Sequence, residues 1–148
     1  LLSRRQRQMC IRDRCKAVEE LVRNSDIICT TTPSTTPVLP DDKELLRGKC
    51  IIAIGSYMPE MREIPDAVLD LVDNVYIELP YACEESGDLS QPLASGKLTK
   101  DRIKLMHEYL VSGEKEIKEG QTTYFKSVGM GLFDVCIAQK LYEVAKEK

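Results

Sequence analysis

No apolar run in these 148 residues approaches the roughly 20 needed to cross a bilayer, so the sequence reads as a soluble chain without a membrane segment. A signal peptide is also missing, because the basic start is not followed by an apolar stretch. The single histidine, His107, falls within a helical pattern, which favours a surface or packing role over metal ligation. None of the six cysteines (Cys10, Cys15, Cys29, Cys50, Cys83, Cys136) is spaced C-x-x-C, which argues against a zinc site or a disulfide framework. Cys29 and Cys50 lie inside apolar runs and read as core thiols, so the expected compartment is reducing and cytoplasmic. Neither G-x-x-x-x-G-K-[ST] nor G-x-G-x-x-G occurs, and no Ser-His-Asp or Cys-His arrangement stands out. Internal repeats and low-complexity tracts are absent as well.

What is present suits one globular unit: 43% hydrophobic residues and interspersed charges around a formal net charge of −3. That net value hides an asymmetry. Five arginines against Asp13 give residues 1–14 a charge of +4, leaving −7 on residues 15–148. An acidic body supplies no electrostatic reason to expect nucleic acid as a partner. Residues 1–14 show no regular period and read as a non-native or disordered basic segment, outside the fold.

From Cys15 the pattern becomes orderly. Ala17, Val18, Leu21 and Val22 recur at helical spacing. Asp26–Thr30 and Cys50–Ile54 follow as strands, with a hydroxyl-rich loop and one short helix near Asp41–Arg47 between them. The unbroken run Cys50–Ile54 suggests a strand buried on both faces, ending where Gly55 lets the chain turn. A helix carrying Ile64, Val68, Leu69 and Val72 leads to a third strand, Val75–Leu79. Strand centres about 24 residues apart with helical matter between them predict β-α-β crossovers and a parallel sheet. Glu84–Gly96 reads as an extended polar loop, and Thr99 as the start of a helix with Ile103, Met106 and Leu110 on one face, ended by Ser112-Gly113. Glu114–Gly120 reads as charged and exposed. Thr122–Phe125 is a short β-branched and apolar run before Lys126-Ser127. Val128 to about Glu147 is helical, apolar almost all round in its first half and one-sided later, as in a helix that enters a buried cleft and then surfaces.

In open parallel sheets, ligands lie against loops that follow the strands' carboxyl ends. Three such loops should converge here: Thr30–Ser34, Gly55–Glu63 and Lys126–Gly129. The first offers hydroxyls and amides. The third offers helix-start N–H groups to an anion or a cofactor amide. The pairs Asp41-Asp42 and Glu84-Glu85 read as solvated surface.

Four segments in order and register, DIICTTTPS, AIGSYMPEMREI, EESGDL and TTYFKSVGMGLFD, resemble the ornithine cyclodeaminase/mu-crystallin family over about residues 16–147. The resemblance implies an NAD- or NADP-dependent enzyme acting on amino acids or cyclic imines, with a homodimer expected. It implies the second half of a Rossmann-type NAD(P)-binding domain at residues 15–126. Residues 127–148 would be a helix returning toward a substrate and dimerisation domain. Carried over by position, Thr30, Thr31 and Thr32 would approach the cofactor, Ile54 and Ser127 would lie near the nicotinamide, and Glu85 would face the substrate. The family's glycine-rich phosphate turn and its Arg and Lys substrate contacts belong upstream of Cys15, so the chain is expected to be the carboxyl-terminal half of such an enzyme. Ornithine cyclodeaminases carry an acid/base aspartate two residues after the glycine matching Gly55; here that position is Tyr57. A phenol of pKa near 10 replaces a carboxylate poorly at neutral pH. Imine reduction or amino-acid dehydrogenation is therefore expected, with ornithine cyclodeamination and a non-catalytic small-ligand-binding role as the alternatives.

Overall fold

The computed structural model describes residues 14–112 and 117–146. The basic start, the Gly113 helix stop, residues 114–116 and Glu147 lie outside the described residues. Five short strands, β1 (Ile27–Thr30), β2 (Cys50–Ala53), β3 (Val75–Ile77), β4 (Ile103–Leu105) and β5 (Thr123–Lys126), form one parallel sheet in the order β1-β2-β5-β3-β4. The expected α/β parallel architecture is therefore present, with two additions: β4 at the far edge, and β5 inserted between β2 and β3. The register aligns the strand tips. Thr30 faces Ala53, Ala53 and Ile77 both face Lys126, and Ile77 faces Leu105.

Period-two alternation decides which side becomes core. Ile28, Ile51, Ala53, Val75, Ile77 and Tyr124 are buried with Val22 of α1 (Val18–Arg23) and Leu45 and Leu46 of α2 (Lys43–Leu46). Ala67, Val68 and Leu69 of α3 (Asp66–Leu71) and Leu89 of α5 (Gly87–Ser95) complete that layer. The opposite face is thinner. Tyr76 is covered there by an edge-to-face contact with Tyr109 of α6 (Met106–Ser112), ring centroids 5.2 Å apart. On β1, Ile27 and Cys29 are exposed, and on β2, Cys50 and Ile52 are only half-buried. Two-sided burial of β2 and a core position for Cys29 are thus corrected: apolar residues fill both sides of these strands, but the described helices pack mainly on one.

Local polar contacts set the helix ends. Asp42 caps α2 by accepting the N–H groups of Glu44 and Leu45, and the Asp41 carboxylate accepts the Ala67 N–H at 2.8 Å in the first turn of α3. The acidic pair is exposed, as expected, and its carboxylates also bond the starts of two helices. At the other end of α3, the Arg102 guanidinium donates to the carbonyls of Leu69, Val72 and Asp73.

Three further expectations are revised. Glu84–Gly96 is not an extended loop; it forms α4 (Ala82–Glu85) and α5. Gly87 and Pro92 disguised a helix that Ser86 caps through the Asp88 N–H. Ile103 lies in β4, paired with Val75, so the helix expected from Thr99 begins only at Met106 after a short 3-10 turn at Lys100–Arg102. The last helix, α7 (Gly131–Lys146), starts three residues late, and none of its residues is buried against the described chain. Its periodicity reports apolar surface that wants cover; it cannot say which surface supplies it, and the packed sheet face is already filled by α1, α2, α3 and α5. Ile51 is fully buried at the centre of that layer. Ile51→Ala should lower unfolding free energy by roughly 2–5 kcal/mol, read from urea denaturation midpoints.

Candidate functional site

The three strand-end loops are drawn together by buried carboxylates. Glu63, fully buried, closes the β2–α3 connection and reaches back to β1. Its Oε2 accepts the Thr30 hydroxyl and the Gly55 N–H, both at 2.8 Å. Its Oε1 accepts the Thr32 hydroxyl at 2.8 Å and the Thr32 N–H. Four donors on one carboxylate satisfy most of its lone pairs, which is what makes a buried charge tolerable. Gly55 is required by closeness. A Cβ there would lie 2.2 Å from the Thr32 nitrogen and 2.3 Å from its oxygen.

The 56–62 loop is pinned from α5. The Ser56 hydroxyl donates to the Met61 carbonyl and lies 2.8 Å from the Ser86 hydroxyl, both serines being fully buried. Gly87 donates its N–H to the Met58 carbonyl, and a Cβ on it would meet the Met61 and Pro59 oxygens at 2.1 and 2.4 Å. The third loop has its own clasp. Glu78, just past β3, accepts the Ser127 hydroxyl at 2.8 Å and the Val128 and Gly129 N–H groups at 2.6 and 3.1 Å, all on Oε1.

Beneath these loops lies an unusual set of buried polar groups. Lys126 Nζ stands 3.4 Å from Asp88 Oδ2, and neither side chain is exposed. Asp88 Oδ1 accepts the Glu63 and Ile64 N–H groups at 2.7 and 3.0 Å. Burial pushes the Asp88 carboxyl up, with Lys126 and those two N–H groups pulling it back. Burial pushes the Lys126 ammonium down, opposed chiefly by Asp88. The Tyr124 phenol is raised well above 10.0, first by burial and then by the nearby charges of Asp88 and Glu63.

The residues carried over by resemblance distribute around this rim. Thr30 is buried and bonded to Glu63, Thr32 is half-buried on the same carboxylate, and Thr31 between them is exposed. Ile54 is 44% exposed at the tip of β2, tied by its N–H to the Thr30 carbonyl. Ser127 follows β5, its N–H donating to the Ala53 carbonyl. Backbone pairing thus unites the Thr30, Ile54 and Ser127 positions on one edge of the sheet. Glu85 stands apart, half-buried at the end of α4, while its neighbour Glu84 lines a cavity of about 430 Å³ with Ile77, Cys83, Leu93 and Leu105. The N–H groups of Val128 and Gly129, expected to be free for an anion, are taken by Glu78, and α7 begins only at Gly131. Glu63 and Lys126 bounded two of the expected loops, but the sequence suggested no side-chain role for them or for Glu78 and Asp88. A signal existed for two of them: Glu78 and Lys126 interrupt runs of strand character, where a charge must find a partner.

Parallel strands with level tips and hydroxyl-bearing loops across the central strands define an α/β protein with a Rossmann-type crevice. The chain belongs to the ornithine cyclodeaminase/mu-crystallin family, whose model matches residues 3–148. It is 38% identical over 136 residues to the Delta(1)-pyrroline-2-carboxylate reductase of Bacillus cereus, covering 90% of this chain and 41% of that protein. It is 33% identical over 129 residues to the ketimine reductase mu-crystallin of Rattus norvegicus, covering 87% and 39%. Among solved structures, the Thermococcus litoralis Delta(1)-pyrroline-2-carboxylate reductase in complex with NADH and L-proline superposes with a TM-score of 0.75 at 25% identity, covering 90% of this chain and 42% of that one. The chain therefore spans about two-fifths of the length of the relatives it matches.

Two outcomes follow from the loop geometry. Gly55→Ala should cost about 1–3 kcal/mol through overpacking against Thr32, seen as a lower urea midpoint. Because the folded Tyr124 pKa is raised, the phenol's contribution to stability is present below 10.0 and is lost as pH climbs beyond it. Tyr124→Phe should flatten the fall in stability above pH 10 while changing little at pH 7, as read from urea midpoints across that range.

Proposed function

We propose that the protein is an NAD(P)-dependent reductase of a cyclic imine or ketimine, in the manner of pyrroline-2-carboxylate reductases, or acts as an amino-acid dehydrogenase on the same C–N bond. The observation that carries this reading is the pairing of the strand-tip site with a tyrosine at position 57, half-exposed where cyclodeaminases place a carboxylate. The similarity to pyrroline-2-carboxylate and ketimine reductases supports it.

The residues present fit the nicotinamide end of such a cofactor. Ile54 offers an exposed apolar surface at the tip of β2 for a flat ring, with the exposed Thr31 and with Ser127 at the ends of the neighbouring strands. Ile54, Thr31 and Ser127 would hold the nicotinamide, which would supply the hydride chemistry for the substrate's C=N carbon. The chain's own part is orientation. Glu63 fixes the Thr30–Thr32 loop, Glu78 fixes Ser127, and the buried Ser56–Ser86 contact holds the 56–62 loop that would border the substrate. Glu85 is assigned to the substrate side of this border.

We assign residues 15–126 to the cofactor-binding unit and α7 to an arm packing against a substrate and dimerisation domain in a homodimer. The apolar Leu132, Val135, Ile137 and Leu141, all exposed on α7, support that assignment. Among the described residues no helix is long and apolar enough to cross a membrane. The compartment we propose is the cytoplasm, in keeping with the five cysteines among the described residues, which stand as free thiols.

The test is to assay the protein expressed from its own gene with NADH and NADPH against pyrroline-2-carboxylate, piperideine-2-carboxylate and ornithine. Reduction of either imine is the expected result. Release of ammonia from ornithine would overturn the reading of Tyr57, and binding without turnover of any of the three would favour a ligand-binding role.

A further inference from the structure

Glu63 and Glu78 each clasp their own loops; backbone pairing runs between the two sides from Ser127 to Ala53 and from Ile54 to Thr30, but no side-chain hydrogen bond joins one clasp to the other among the described contacts. Asp88, from the first turn of α5, stands behind both. One oxygen takes the backbone N–H of Glu63 itself, and so fixes the residue that holds Thr30, Thr32 and Gly55. The other oxygen faces the Lys126 ammonium at 3.4 Å, directly before Ser127 and the Glu78 clasp. The Asp88 N–H is accepted by the Ser86 hydroxyl, which touches Ser56 in the intervening loop. The Asp88 carboxylate thus touches the second and third strand-end loops directly, at the Glu63 N–H and the Lys126 ammonium, and the first through the Glu63 side chain.

Its setting makes the charge matter. Glu63, Glu78 and Asp88 are buried carboxylates, and Lys126 is the one buried ammonium among the described residues. Glu63 and Glu78 act on Lys126 electrostatically, but Asp88 is the carboxylate paired with it. The Tyr124 phenol faces the same group from β5. In a low-dielectric setting, a lost partner leaves an uncompensated charge that its surroundings must move to accommodate.

We propose that Asp88 is a positioning residue that couples the three loops. Through the Glu63 backbone and the Lys126 ammonium, it sets the spacing between the Thr30–Thr32 and Gly55 side of the crevice and the Ser127–Gly129 side. Its effect on cofactor placement rests on the function proposed above; the coupling of the loops does not.

Asp88→Asn keeps the size and one acceptor oxygen but removes the charge opposite Lys126. In the protein expressed from its own gene, amide exchange should quicken about tenfold or more at Thr32, Gly55, Val128 and Gly129 together, as expected when one partner of a buried ion pair is removed. The KM for NAD(P)H should rise about tenfold with kcat held within about twofold, the signature of lost binding geometry rather than lost chemistry. Asp88→Asn combined with Lys126→Met removes both charges and should recover most of both effects. Faster exchange confined to Glu63 and Ile64, or a double variant no better than Asp88→Asn alone, would reduce Asp88 to a local backbone cap and overturn the proposal. If Asp88→Asn does not fold, Lys126→Met carries the same exchange measurement, and unchanged rates at Thr32 and Gly55 would be equally fatal. Coupled exchange in a protein that binds no nicotinamide cofactor would uphold the coupling and defeat the function.

Discussion

Two strand ends and a buried carboxylate make one joint on which the crevice depends. Glu63 gathers the Thr30 hydroxyl, both donors of Thr32 and the Gly55 N–H, so the loops leaving β1 and β2 cannot move independently. Gly55 can sit this close only because it has no side chain. A carboxylate buried among donors is a strong restraint: its bonds are charge-assisted, and breaking one strands a charge away from water. The crevice rim is therefore stiff at its base, while the exposed Thr31 and Ile54 remain available at its lip.

The polar layer beneath that joint carries an energetic cost. Asp88 and Lys126 are both out of solvent, and the Tyr124 hydroxyl, Glu78 Oε2, Asp88 Oδ2 and Lys126 Nζ have no hydrogen-bond partner among the described residues. Leucine or methionine at such places would pack as well and often more stably. Polar side chains in that layer are better understood as setting geometry than as adding stability. The apolar layer of Ile51, Val68, Leu69 and Val75 supplies the stability instead.

Much of the scaffold was legible because strands and turns write themselves locally. The runs at Ile27–Thr30, Cys50–Ala53 and Val75–Ile77, each ended by a polar or glycine signal, placed three strands and the crevice edge within a residue or two. The failures have physical causes. Ile103–Leu105 has three residues and takes its strand character from pairing with β3. α5 hides Gly87 and Pro92, tolerated because Gly87 must approach the Met61 and Pro59 carbonyls. The site divides the same way. Thr30–Thr32, Ile54 and Ser127 were reachable as strand-end positions. Glu63 and Asp88 were not, because a charge that caps loops distant in sequence looks the same, in a list of letters, as a charge that faces water.

The sheet order has a consequence for how the molecule is made. β1 with β2, and β3 with β4, are two separate ribbons until β5 is laid between them. Residues 123–126 are synthesised after the other four described strands, yet they form the keystone of the sheet and bring the Lys126 ammonium with them. A nascent chain halted before this point would expose two unpaired inner edges, open to any passing strand. Assembly must wait for closure across long separations in sequence, which makes folding slow and ties its commitment to the arrival of β5.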